Sequence, residues 1–309
     1  MKYAIVFPGQ GSQSLGMLSD LNDNFSIVKD TFTEASDALG FDLWALTQED
    51  QEALNQTQNT QPAMLAAGYA TYKVLTSQSD LSPVCMAGHS LGEYTALVAS
   101  GALGFSDAIK LVRTRAQLMQ SAVPEGVGAM AAILGLDDEV VVKVCHDYAG
   151  EGIVQAVNFN SNGQVVIAGN KAAVDATCEA MKAAGAKRAV VLPVSVPSHC
   201  SLMDDAAGEF KHAVDALDFN MGSVDVLHNV DASKAADINE MKAKLVAQLH
   251  KPVLWTGTVR AMHAMGVEKL IEAGPGKVLA GLTRRIEKSL TANAVLDSAG
   301  VASALEEIK

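Results

Sequence analysis

The junction between Val84 and Ser100 constrains this chain most. An apolar run, Val84–Gly88, leads directly into an apolar helical stretch, Leu91–Ser100, and the turn between them reads Gly88-His89-Ser90-Leu91-Gly92. A strand can pass that abruptly into a helix only if the flanking positions carry almost no side chain, as the glycines of G-x-S-x-G ensure. A buried strand feeding straight into a helix is the unit of a parallel sheet covered on both faces. The serine of such a turn stands at a helix N-terminus, where free N–H groups and the macrodipole favour developing negative charge. Five residues with three fixed recur by chance, so a tight turn with a capping serine competes. The apolar strand before and the apolar helix after favour a nucleophile at Ser90.

The rest of the chain extends this α/β pattern. Lys2–Phe7 reads as a short buried strand followed by the loop Pro8-Gly9-Gln10-Gly11-Ser12, and further strands are expected at Val224–Asn229 and Lys269–Ala273. Helices are expected within Asn22–Leu39 and Leu43–Leu54, and over Ser106–Val123, Leu202–Leu217, Asn239–His250 and Val278–Ser289. Another is expected to open at Thr60-Gln61-Pro62, with Thr60 as cap and Pro62 in the first turn, and to run to Leu75. The texture changes near Gly126: strand Ala129–Leu136, helix Asp137–Tyr148, strands Ile153–Phe159 and Gln164–Ala168 around Asn162-Gly163, helix Lys171–Ala184, strand Arg188–Val194. That β-α-β-β-α-β order is ferredoxin-like. The length of 309 residues therefore divides into a parallel α/β domain, 1–125 and 196–309, and an inserted small domain, 126–195.

Charge narrows the partners. With 23 Lys+Arg against 35 Asp+Glu the net charge is −12, the wrong sign for nucleic acid or an anionic membrane surface. The N-terminal apolar run stops at Pro8, too short for a signal peptide, and no stretch approaches the roughly 20 apolar residues of a spanning helix. Cys85, Cys145, Cys178 and Cys200 are scattered without a C-x-x-C pair, which suggests free thiols in a reducing cytosol and no metal site. Gly274-Pro275-Gly276-Lys277 has Val278 where a phosphate loop needs Ser or Thr, and reads as a strand-to-helix turn.

A serine nucleophile needs a base. His199 follows the strand expected to end near Val194, at the carboxyl end of the sheet where Ser90 also lies. A structural loop histidine is the alternative. His89 is expected to point away from Ser90 by strand alternation, and His228, within an expected strand, is a weaker candidate. His146, His212, His250 and His263 fall in polar helical stretches. Asp204 and Asp205 follow His199 but belong to a helix surface, so no carboxylate presents itself to orient the imidazole. Arg115 gives a sharper signal. It stands mid-stripe among Leu111, Val112, Leu118 and Met119 on the apolar face of its helix, whereas Arg113 neighbours Lys110 and Gln117 on the polar face. A guanidinium there needs an anion, supplied either by an internal Asp or Glu or by a substrate carboxylate held by the planar fork.

Read together, Phe7-Pro8-Gly9-Gln10-Gly11-Ser12-Gln13, Thr60-Gln61-Pro62-Ala63, Gly88-His89-Ser90-Leu91-Gly92-Glu93-Tyr94, Arg115, Val157-Asn158-Phe159-Asn160-Ser161, Val196-Pro197-Ser198-His199-Cys200, Gln248-Leu249 and Gly274–Leu279 span nearly the whole chain in order. The chain resembles the bacterial malonyl-CoA:acyl carrier protein transacylases of type II fatty acid synthesis. The resemblance implies an α/β-hydrolase-like large domain with the ferredoxin-like insertion beside it, the cleft lying between. It implies malonyl transfer from malonyl-CoA to the carrier's phosphopantetheine thiol through an ester on Ser90, with His199 as base and the Gln248 carbonyl orienting it. It further implies an oxyanion hole from the Gln10 and Leu91 N–H groups, Arg115 on the malonyl carboxylate with Met119 beside it, no cofactor, a monomer, and a cytoplasmic location. A serine thioesterase sharing the elbow is the alternative. Both implied partners are anionic, so attraction must be local, and Lys187, Arg188, Arg284 and Arg285 are the densest basic spots, expected near the cleft.

Overall fold

The computed structural model describes residues 1–194 and 196–308. Its strands, in chain order, are β1 (Tyr3–Phe7), β2 (Met86–Gly88), β3 (Gly128–Leu134), β4 (Val154–Ser161), β5 (Gln164–Asn170), β6 (Arg188–Val191), β7 (Val226–Leu227), β8 (Lys269–Ala273) and β9 (Thr291–Val295). They form two sheets. The larger is parallel throughout, in the order β7-β2-β1-β8-β9. Helices cover both of its faces, so every residue of β1 is buried. Alternation then sends Tyr3, Ile5 and Phe7 into one core with Met86 and Ile271, and Ala4 and Val6 into another with Ala87 and Leu270. All pairs being parallel, the strands end on the same side, and Ser90 emerges there after β2.

The smaller sheet has order β4-β5-β3-β6 and is antiparallel. One face packs Ala131, Ile133, Val165 and Ile167 against the helices Asp138–His146 and Lys171–Ala183. Met130, Val166 and Ala168 on the other face group with Val157 and Cys200 and so turn toward the larger domain. A two-residue turn joins β4 to β5, and Gly163 takes φ 72° there. Backbone bonds between Val157 and Val253 (2.8 Å) and between Phe159 and Val253 (3.0 Å) tie β4 to the segment preceding helix Trp255–Ala264. These antiparallel strands fall within the 126–195 block; Ser195, its expected end, lies outside the described residues.

Several local expectations shift. The helix expected to open at Thr60 begins at Thr57, leaving Pro62 in its interior. Thr60 is buried and turns its hydroxyl back to the Leu54 carbonyl at 2.5 Å, so it serves the helix wall and not its cap. β6 stops at Val191, because Pro193 cannot donate to a ladder. β9 and the helices Trp255–Ala264 and Ser298–Glu307 lie where no periodicity was evident. β9 is a half-exposed edge strand, and Trp255–Ala264 mixes Gly257 with β-branched residues that weaken a helical pattern. No helix among the described residues is long and apolar enough to cross a membrane.

Candidate active site

The elbow is as tight as its glycines require. A Cβ on Gly88 would sit 1.8 Å from the Gly92 carbonyl carbon, and one on Gly92 would sit 2.1 Å from the Phe7 carbonyl oxygen. Ser90 is held at φ 50°, in the left-handed region, a conformation that costs a non-glycine residue on the order of 1–3 kcal/mol and persists only where the surroundings enforce it. Asn229 provides that enforcement: its Oδ1 accepts from the Ser90 N–H at 2.7 Å, and its Nδ2 donates to the Gly88 carbonyl at 2.7 Å.

Ser90 Oγ lies 2.8 Å from His199 Nε2. The other ring nitrogen, Nδ1, lies 2.6 Å from the Gln248 carbonyl oxygen. A carbonyl can only accept, so Nδ1 carries hydrogen and the Nε2 lone pair faces the serine hydroxyl. The imidazole is therefore set to take the serine proton without any carboxylate. Burial is the main cause that pushes the His199 pKa down to about 3, and the Arg115 charge adds to it against the opposing pull of the Gln248 carbonyl. His199 is itself at φ 65°, its N–H bonded to the Leu249 carbonyl at 2.9 Å. His89 lines the same cleft as Ser90, with its Nε2 2.8 Å from Asn160 Oδ1. His228 is buried against Glu93 and far from the role of base. Asp204 takes His250 and not His199.

Arg115 is 1% exposed, within helix Phe105–Ser121. Its hydrogen bonds all go to neutral acceptors: Nη1 donates to Gln61 Oε1 at 2.8 Å, and Nη2 donates to Gln248 Oε1 at 2.9 Å and to Ser90 Oγ at 3.2 Å. Its Nε has no partner among the described residues. The internal ion pair weighed from the sequence is thus not what holds this guanidinium. Tyr94 lies beneath it, ring centroid 5.4 Å from Cζ. A buried cation thus stands beside the reactive hydroxyl without a carboxylate of its own.

These groups open onto a cleft of about 530 Å³ between the two sheets. One wall carries Gln10, Ser90, Leu91, Arg115, Met119 and His199; the facing wall carries Met130, Asn158 and the segment Leu192–Val194. The backbone N–H groups of Gln10 and Leu91, both on the cleft, have no acceptor among the described residues. Met119 is buried with its Sδ 3.9 Å from Gln61 Nε2. Lys187, Arg188, Arg284 and Arg285 are exposed, but none lines the cleft. The reason is direction: antiparallel β6 starts beside Leu134 and reaches the cleft only past its far end. Arg285 instead meets the β4–β5 turn, its carbonyl 3.1 Å from Asn162 Nδ2. Sequence reasoning passed over Asn229 and Glu93. Neither lies on an amphipathic stripe that would expose a buried polar group, although Glu93, three residues past the nucleophile in an otherwise apolar helix, carried a readable signal.

Fold and site together define a serine-dependent acyl-transfer centre with a buried cation beside the serine. A family model described as the acyl transferase domain matches residues 4–304, and the chain belongs to that family. It is 54% identical over 306 residues to the malonyl CoA-acyl carrier protein transacylase of Escherichia coli (strain K12), covering 99% of each. Its identity to the malonyl CoA-acyl carrier protein transacylase of Bacillus subtilis (strain 168) is 43% over 310 residues, covering 100% of this chain and 98% of that one. The crystal structure of an acyl carrier protein S-malonyltransferase from Vibrio cholerae matches with a TM-score of 0.96 at 54% identity, over 100% of both chains. A malonyl-transacylase solved in complex with a type II PKS acyl-carrier protein matches with a TM-score of 0.98 at 51% identity, over 99% of this chain and 100% of that one.

Proposed function

We propose that the protein transfers a malonyl group from malonyl-CoA to the phosphopantetheine thiol of an acyl carrier protein, by a ping-pong scheme through an ester on Ser90. The observation that carries this reading is Arg115, buried, bonded only to neutral acceptors, and 3.2 Å from Ser90 Oγ. That is the place and the chemistry for the free carboxylate of a malonyl group. In the first half, Ser90 Oγ attacks the thioester carbonyl while its proton passes to His199 Nε2. The oxyanion is received by the Gln10 and Leu91 N–H groups, the C–S bond breaks, and the coenzyme A thiolate takes the proton back from His199. In the second half the carrier thiol gives its proton to His199, its sulfur attacks the ester carbon, and Ser90 leaves with that proton. Gln248 holds the imidazole in register through its carbonyl, and Met119 shapes the pocket beside Arg115. Two thioester exchanges supply all the bonds that change, so no resident cofactor enters the scheme, and a cytoplasmic location belongs to the same reading.

The test is the intact mass after incubation with malonyl-CoA. The wild type is expected to gain one malonyl group and lose it on addition of a phosphopantetheinylated carrier. The Ser90→Ala variant is expected to gain nothing, and a stable adduct in that variant would overturn the assignment. Release of free malonate at the same rate with or without a thiol acceptor would favour a thioesterase.

A further inference from the structure

The site has no carboxylate on its histidine, yet one fully buried carboxylate stands beside it unused by the chemistry above. Glu93, in helix Gly92–Ala99, has no exposed surface. Its Oε1 lies 2.7 Å from His228 Nδ1, and its Oε2 accepts from the Asn229 N–H at 2.9 Å and from Gln248 Nε2 at 2.9 Å. It touches neither Ser90 Oγ nor His199. Gln248 and Asn229, which contact His199 and the Ser90 backbone, are each one hydrogen bond away from it.

We propose that Glu93 is a positioning residue that sets the orientation of the Gln248 side-chain amide, and through it the placement of both Arg115 and His199. Donors and acceptors fix this orientation. An amide has one face that donates and one that accepts. With a carboxylate at Oε2, the Gln248 NH₂ must face Glu93, and there it also donates to the Ser90 carbonyl at 2.9 Å. Its Oε1 is then left to accept from Arg115 Nη2 at 2.9 Å. The opposite flip would set an NH₂ against a guanidinium N–H, two donors in a buried space where neither could find water. Fixing the amide also fixes the residue, and the backbone carbonyl of Gln248 is the acceptor that holds His199 Nδ1. The same Oε2 also accepts from the N–H of Asn229, whose side chain clamps the elbow at Ser90 N and Gly88 O. Glu93 thus does at one remove what an acid bonded directly to the histidine would do, and it extends that support to the arginine.

Glu93→Gln keeps the shape but replaces one of the two accepting oxygens by an NH₂ donor, so the side chain can no longer accept both from His228 on one side and from Asn229 and Gln248 on the other. Two quantities are read: the rate at which the enzyme acquires a malonyl group, and the preference for malonyl-CoA over acetyl-CoA as acyl donor. A merely structural glutamate would lower the amount of folded enzyme and leave that preference alone. The expected result is acylation slowed on the order of 10- to 100-fold with the preference lowered by about tenfold or more. In a Gln248→Ala background the same substitution is expected to cost several-fold less than in the wild type, the remainder passing through Asn229. Unchanged rate and preference in Glu93→Gln, or equal cost in both backgrounds, overturns the proposal. Glu93→Asp, which keeps the charge and shortens the reach, is expected to show a smaller loss in both quantities. It carries the test if the glutamine variant folds poorly, and failure of both to fold would show that Glu93 holds the fold and not the site. The proposal rests on the malonyl reading, and the wild type separates the two: no malonyl adduct on the wild type breaks that reading, whereas a normal adduct with an indifferent Glu93→Gln breaks only this one.

Discussion

The two walls of the cleft are built on different terms. On the large-sheet wall, Ser90, His199, Arg115 and Gln248 are joined in a buried hydrogen-bonded network, two of them at left-handed φ, with glycines whose Cβ positions are occupied by backbone. On the small-sheet wall the lining is largely apolar, Met130 and Leu192–Val194, with Asn158 as its polar member. One wall is over-determined, because strained backbone at Ser90 and His199 persists only where the surrounding hydrogen bonds enforce it. The other covers and shapes the space. The chemistry is therefore expected to be intolerant of change on one side of the cleft and adjustable on the other.

The sharpest way to break this contrast is at the elbow. Gly88→Ala must push a Cβ into the Gly92 backbone, so acylation of Ser90 by malonyl-CoA is expected to vanish, as in Ser90→Ala. A Gly88→Ala variant acylated at the wild-type rate would mean the wall is not over-determined. Next in size is the oxyanion site. A substitution at Gln10 that displaces its backbone N–H is expected to cost on the order of 10²–10³ in acylation rate, measured as the burst of released coenzyme A.

The imidazole gives a third prediction. With the His199 pKa pushed from 6.5 down to about 3, the base stays neutral and the rate of Ser90 acylation is expected to be level as pH falls through 6.5. An acid limb centred at 6.5 would show that the histidine is neither buried nor held as described. The same shift makes stability pH-dependent. Between pH 6.5 and about 3 the unfolded chain binds a proton at this position that the folded chain refuses, so His199 lowers folding stability progressively as pH falls through that window and has no effect above it.

Smaller effects belong to the opposite wall and the surface. Asn158→Ala is expected to raise KM for malonyl-CoA a few-fold with little change in the acylation rate at saturation, because it removes a contact and no reacting group. Reversing Lys187, Arg188, Arg284 and Arg285 together is expected to raise the apparent KM for the carrier while leaving single-turnover acylation by malonyl-CoA untouched. No change in that KM would leave the four as solvated surface.

Much of this was legible in the sequence, and the limits have physical causes. The elbow declares itself because a sharp turn admits only glycine at two places, and Arg115 because a charge in an apolar stripe breaks a periodic pattern. The β-α-β-β-α-β order carries the second sheet. What escaped were contacts made across the sheet. Asn229 lies 139 residues from Ser90 and Gln248 lies 155 from Glu93, and no local period reports such distances. The basic residues were misplaced relative to the cleft because composition does not tell which end of a strand faces it. Pro62 misled by suggesting a helix start, whereas the buried packing of Thr57–Gln78 overrides one missing N–H.

Arg115 is proposed to hold the free carboxylate of the acyl group. That role is tested most directly by comparing malonyl-CoA with acetyl-CoA as acyl donors to the wild type and to Arg115→Ala, reading Ser90 acylation by intact mass over time. The substitution is expected to slow malonylation by about tenfold or more while acetylation is unchanged or faster, so that the preference collapses. Equal loss with both donors would contradict it.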